Sequence, residues 1–223
     1  MDTLKTNKQN NSNLSLAEEF AEKIKSQQKK DKLSKAAPLI VLATIIVLAS
    51  IFVKGFFSLT NVVNLLNQIS IPLVLATGLT FVILIGCIDL SLEGVMGLAG
   101  SVVSLLVLNN KNGNNFGILA FIIILLLGAS IGALTGFLHV KMRIPSFIVT
   151  FGMGSVATGF AIMSYMGKPA TITDPMFAKL SSGSLLGIPY LTWIAFVVFA
   201  VGVFLQKYTA FGASVYAIGD NES

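Results

Sequence analysis

The sequence predicts an all-α integral membrane protein with about six transmembrane helices and both termini in the cytoplasm. Of its 223 residues, 54% are hydrophobic and only 11% charged, and the mean hydropathy is +0.83. That balance belongs to membrane proteins rather than soluble domains. The apolar residues fall in long runs without charge, which a soluble core does not need. Basic residues are distributed unevenly between the two sides that those runs define.

The first 35 residues stand apart. Residues 1–13 are polar, with an Asn/Gln/Lys bias that cannot bury a core, and are expected to be disordered. From Ser15, the string SLAEEFAEKIKSQQKKDK reads as a short amphipathic helix. Ser15 and Glu18 make a capping box, and Leu16, Phe20 and Ile24 recur every four residues. A helix lying on the lipid surface and a solvated charged segment with a weak apolar stripe both fit this pattern. It does not read as a cleaved secretory signal, because the apolar run begins only at Ala36 and no Ala-x-Ala site follows.

The spans follow in order. Residues 36–53 form an uncharged run of 18 residues, about 27 Å as helix and enough to cross a bilayer. Residues 55–88 also carry no charge, and this run is too long for one simple span. Its first part, SLTNVVNLLNQIS, is studded with Asn61, Asn64, Asn67 and Gln68. Pro72 then predicts a kink before a second span of about 17 residues ending near Ile88. Further spans are expected at 94–108, 116–138, 144–166 and, after a loop rich in Pro, Ser and Gly, 188–205.

With the N-terminus inside, eleven of the fifteen basic residues are cytoplasmic: eight N-terminal lysines, Lys141, Arg143 and Lys207. Lys54, Lys111, Lys168 and Lys179 fall outside. This is a clear positive-inside bias. It also explains the net charge of +5 without a phosphate-binding face, so no nucleic-acid partner is expected. Cys87 is the sole cysteine and His139 the sole histidine, which leaves no disulfide and no metal site.

The polar exceptions inside apolar sequence concentrate in residues 78–100, GLTFVILIGCIDLSLEGVMGLAG, which carry Asp89 and Glu93. A carboxylate at a helix centre costs about 2.5–3.5 kcal/mol on insertion scales, so such residues face a polar interior or cap a break. One reading is a proton-relay pair. The other is a helix break in which Ser91 or Asp89 caps the third helix and Glu93 favours the positive end of its dipole. The topology places this break towards the cytoplasmic side. No GxxxxGK[ST] motif exists, so the chain binds no ATP through a Walker loop. Residues 152–155, GMGS, are an incomplete serine-nucleophile motif, and His139 lies in a charged loop. Small residues predict tight packing: Gly128, Gly132 and Gly136 form a doubled GxxxG face, Gly94, Gly97 and Gly100 line the third span, and Ser155 and Gly159 repeat the spacing in the fifth.

Three blocks then carry a family resemblance. TNVVNLLNQISIPLVLATGLTFVILIGCIDLS resembles the second-span region of permease subunits from ribose/xylose/galactose-type ABC sugar importers. RIPSFIVTFGMGSVATGFAIM and TAFGASVYAIGDNES resemble two later blocks of that family, in family order, so the likeness runs from about residue 38 to the end. The sequence departs from the pattern at Cys87, where the family has a second glycine, and at Glu93, where a glycine follows Asp-Leu-Ser-Val. The string LEGVM is instead similar to nucleoside-type permeases.

The resemblance implies about ten spans in the family and a cytoplasmic coupling helix after the sixth. The organisation it implies is a polar region over 1–35, an incomplete permease domain over 36–206 and the start of the coupling element over 207–223, with Gly219, Asp220, Asn221 and Glu222 in its signature. The chain ends inside that signature, as either a fragment or a truncated product would. The implied function is ATP-driven import of a monosaccharide across the bacterial cytoplasmic membrane by alternating access. The implied partners are a cytoplasmic ATP-binding cassette subunit, an extracytoplasmic sugar-binding protein and a second permease subunit, within the lipid bilayer. No cofactor is implied, and the chain is not itself an enzyme. A sugar path needs polar groups in a dry bundle; the candidates are Asn64, Gln68, Ser70, Thr77, Thr80, Thr150 and Ser155. A nucleoside permease, a proton-coupled transporter using Asp89 and Glu93, and a non-transporting membrane fragment stay open as alternatives.

Overall fold

The computed structural model of the chain describes residues 27, 36–164, 168 and 170–220. The amphipathic helix expected from Ser15 lies outside them apart from Gln27, and Asn221 and Glu222 lie outside as well. Two compact units are present, Met1–Asn61 and Val62–Ser223.

In the first unit, α1 (Ala36–Phe52) ends in a turn with Gly55 at φ +77°. The Ser58 hydroxyl accepts from the Asn61 N–H at 3.2 Å and so caps the start of α2 (Leu59–Leu84). Asn61 Nδ2 donates back to the Phe56 carbonyl at 2.7 Å. The Asn-rich stretch is therefore the first turns of a 26-residue helix, and that helix continues through Pro72. The sequence reading opened the second span at Pro72, but loss of a single N–H does not end the helix there.

What ends α2 is Gly86, at φ +74°. Its N–H donates to the Ile83 carbonyl at 2.9 Å and the Cys87 N–H donates to the Val82 carbonyl at 3.1 Å. These two bonds are the Schellman pattern, with glycine in the left-handed conformation it alone adopts without strain. A short segment outside any helix leads into α3 (Leu92–Leu106), and the hairpin of α4 (Ile118–Met142) and α5 (Ser146–Ser164) follows. Arg143 at φ 55° and Pro145 separate the two helices of the hairpin. His139 lies beside this turn, Nδ1 donating to the Ile144 carbonyl at 2.7 Å and Nε2 standing 3.4 Å from Cys87 Sγ.

The loop expected before the last span holds three further elements. Asp174 is buried and accepts from the Met176 and Phe177 N–H groups at 2.9 and 3.2 Å, capping the eight-residue α6 (Pro175–Ser182). Strands β1 (Ser184–Leu185) and β2 (Ile188–Pro189) pair through a two-residue turn, with Leu186 and Gly187 both at positive φ. Then come α7 (Tyr190–Tyr208) and α8 (Ala210–Asp220). At the other end of α3, Asn109 and Asn110 tie residues 107–112 to Thr171 and Ile172 through paired backbone and amide bonds. Below this knot Val103, Val107 and Ala120 form a small core, against which Ile172 and Phe177 pack.

Among the described residues, four helices, α2, α4, α5 and α7, are long and apolar enough to cross a membrane. At 17 and 15 residues, α1 and α3 are shorter; α3 reaches about 22 Å against a hydrocarbon core of about 30 Å. The expected six spans are thus four long helices and two short apolar ones. Because Gly86 sets a left-handed turn, Gly86→Ala is expected to destabilise the protein by about 1–2 kcal/mol. Gly86→Asn should cost less, since Asn tolerates that conformation. Thermal unfolding in detergent, followed by loss of the monodisperse species, measures both.

Candidate functional site: the groove between α3 and α5

The site begins at the helix break. Residues 88–90 belong to no helix or strand, so their backbone groups need partners from elsewhere. Ser146 Oγ accepts from the Ile88 N–H at 3.1 Å, and Thr150 Oγ1 accepts from the Leu90 N–H at 3.1 Å while lying 3.2 Å from the Ile88 carbonyl. Ser146 and Thr150 are one turn apart on α5, so one face of that helix serves the break. Asp89 Oδ1 accepts from both the N–H and the hydroxyl of Ser91, at 2.8 and 2.6 Å. Asp89, rather than Ser91, is therefore the side chain that orders the entry to α3.

This seating brings α3 against α5. A Cβ on Gly94 would collide with the Gly154 carbonyl, and one on Gly154 would stand 3.1 Å from the Leu90 oxygen and Ser91 Cα. Seven residues further along both helices, Ser101 Oγ donates to the Ala161 carbonyl at 3.1 Å, so α3 and α5 run parallel. Beside this seam lies a cavity of about 650 Å³, with Glu93, Ser101, Ser104, Thr158 and Lys168 among its lining residues. A second, of about 340 Å³, is lined by Glu93, Ser155 and Thr158 together with Leu90 and Phe151. Glu93 and Thr158 belong to both. A small cavity of about 90 Å³ lies between α2 and α7, lined by Thr77, Thr80 and Gln206.

The residues expected along a polar path fall in different places. Ser155 lines the second cavity, and its hydroxyl donates to the Phe151 carbonyl at 3.0 Å. Thr77 and Thr80 line the small one, each donating to its own helix at 2.7 Å. Ser70 is buried and bonds Thr192 Oγ1 at 3.0 Å, joining α2 to α7. Thr150 serves the break. Asn64 and Gln68 are exposed on α2 and line none of these three cavities. Gly128, Gly132 and Gly136 have open space where a Cβ would stand, whereas Gly94, Gly154 and Gly202 lie against neighbouring helices. Gly219 lies against the Leu84 carbonyl, so Gly219 and Asp220 end a helix seated on the base of α2.

Ser101, Ser104, Thr158 and Lys168 were not singled out by sequence. The serines follow Gly97 and Gly100 in the third span, and Thr158 lies one turn beyond Gly154, a pattern legible only as small-residue packing.

The fold and groove together define a polytopic α-helical membrane protein with a polar-lined seam between parallel helices. Residues 61–223 match the family described as "Branched-chain amino acid transport system / permease component", and the chain belongs to that family. It is 34% identical over 175 residues to the ribose import permease protein RbsC of Haemophilus influenzae, covering 75% of this chain and 52% of the relative. Over 189 residues it is 33% identical to the protein of the same name in Escherichia coli K12, covering 83% and 58%. The L-arabinose ABC transporter permease protein AraH of Azospirillum brasilense is 33% identical over 169 residues, covering 74% and 48%. The chain thus spans about half the length of the curated relatives it matches. No solved structure gives a significant match.

Two substitutions test the architecture. Thr150→Val leaves the Leu90 N–H without its acceptor and is expected to destabilise by about 1–3 kcal/mol, whereas Thr150→Ser keeps the bond. Gly94→Leu is expected to force α3 off α5 and lower the yield of folded protein in detergent extracts, while Gly78→Leu, which meets open space, leaves the yield unchanged.

Proposed function

We propose that this chain is part of the permease subunit of an ATP-driven importer that moves a monosaccharide across the bacterial cytoplasmic membrane. The observation that carries the proposal is the likeness to ribose and arabinose permeases over three-quarters of the chain. The family description names amino acids, but relatives at 33–34% identity name sugars, and their likeness supports a sugar as substrate. The groove supports the reading: a seam with hydroxyls, a carboxylate and an ammonium in its walls suits a polyhydroxylated solute. The bond from Ser91 to Asp89 supports a structural turn rather than a proton relay at that carboxylate.

The chain holds no nucleotide loop, so ATP hydrolysis falls to a cytoplasmic ATP-binding cassette partner. An extracytoplasmic binding protein delivers the sugar, and a second permease subunit completes the path. In this reading α8 faces the cytoplasm and is the surface on which the ATPase acts. Gly219 lies against the Leu84 carbonyl, so movement of α8 reaches the end of α2 and, through Gly86, the break that positions α3.

The test is uptake of labelled D-ribose and L-arabinose by proteoliposomes holding the complete importer. Uptake that requires ATP and the ATPase subunit, and survives collapse of the proton gradient, is the expected result. Uptake that persists without the ATPase and stops with the proton gradient overturns it.

A further inference from the structure

We propose that Glu93 is the cargo-binding carboxylate of the α3/α5 groove, accepting hydrogen bonds from hydroxyls of a neutral sugar and excluding anionic ones. This rests on the permease reading and adds a residue and a selectivity to it. Glu93 lines both larger cavities. Its carboxylate makes no hydrogen bond or ion pair among the described residues, because Asp89 already orders the helix entry. Glu93 is exposed in the first turn of α3, so its carboxylate is open to a ligand that enters either cavity.

The polarity of the surrounding groups says which partner. Ser101 and Ser155, on either side of Glu93, donate their hydroxyl hydrogens to the Ala161 and Phe151 carbonyls. Both therefore turn only lone pairs towards a ligand. With the Glu93 carboxylate, these two hydroxyls outnumber the one uncommitted donor nearby, the Thr158 hydroxyl that lines both cavities, so the wall favours a ligand rich in donors. Hydroxyl groups on adjacent carbons supply two O–H donors at the spacing of one carboxylate. A phosphate or carboxylate on the cargo supplies none and is repelled by Glu93. Lys168 lines the larger cavity as well, three residues before Thr171, which bonds Asn110 beyond the end of α3 opposite Glu93.

Binding is read by alkylation, independently of transport. In the assembled importer, Thr158→Cys on a Cys87→Ser background places the chain's single thiol between the two cavities. D-ribose at about five times its dissociation constant is expected to slow maleimide labelling about sixfold by occupancy. Ribose 5-phosphate at the same concentration leaves the rate unchanged. Adding Glu93→Gln is expected to raise the half-protecting ribose concentration about tenfold, the effect of losing a charged acceptor, with the ligand-free labelling rate unaltered. Protection that survives Glu93→Gln, equal protection by ribose 5-phosphate, or no protection by ribose overturns the assignment. A change in the ligand-free rate also overturns it, because that marks a structural role at the helix entry. ATP-driven uptake by the unsubstituted importer tests the permease reading separately, so the two fail in different assays.

Discussion

The structure of the second unit depends on how the chain crosses an apolar environment without a continuous helix. Backbone groups that leave a helix in lipid must be paired at once. Between α2 and α3 every device that does this is visible. Gly86 closes the last turn of α2 on itself, Asp89 holds Ser91, and Ser146 and Thr150 serve the residues between them. The break is thus built jointly by its own residues and by α5. That dependence explains why α3 and α5 lie so close at Gly94 and Gly154: the helix that satisfies the break is also the one that α3 must then follow.

The groove lies alongside a seam in which α3 and α5 stay close from Gly94 to Ser101. At the Gly94–Gly154 contact there is no room for a methyl group, and beyond it Ser101 reaches Ala161 only through a hydrogen bond. The glycines therefore fall into two kinds. Gly94, Gly154 and Gly219 meet backbone atoms elsewhere in the chain and Gly202 meets the Thr77 side chain, while the regularly spaced set on α4 faces open space. Spacing records the shape of a helix face, and only the neighbouring atoms say whether this chain uses that face.

Much of this was legible in the sequence because lipid imposes simple rules. Length, charge-free runs and the asymmetry of lysines led to an all-α membrane protein, and the family match agrees. The Asp89 turn was also legible, since an Asp-x-Ser before an apolar run is a capping pattern. Element boundaries were less so. Pro72 drew attention as a kink opening the second span, yet the residue that bounds α2 is Gly86, whose positive φ cannot be told from sequence apart from the other glycines nearby. The groove residues were harder still. Ser101, Ser104 and Thr158 look like the other small hydroxyl residues of these helices, and what distinguishes them is the register of α3 against α5. That register is set by contacts sixty residues apart. Thr150 was noticed as a polar group in a span, but its task, holding the break, needed the partner in space.

The same geometry gives the proposed transport cycle a short mechanical route. The end of α8 sits on Leu84, the Schellman turn follows within two residues, and Glu93 lies nine residues beyond Leu84. Between them residues 87–91 lie outside any helix and are held by side-chain bonds, so the segment transmits displacement only while those bonds persist. A push on α8 that breaks the Thr150 and Ser146 contacts would free the start of α3 to move off α5. Because Gly94 and Gly154 touch through backbone atoms, that interface has no side chains to compress and is either seated or separated. A two-position contact of this kind, next to the carboxylate that lines both cavities, is a suitable place for the proposed cycle to convert movement of α8 into a change at the groove.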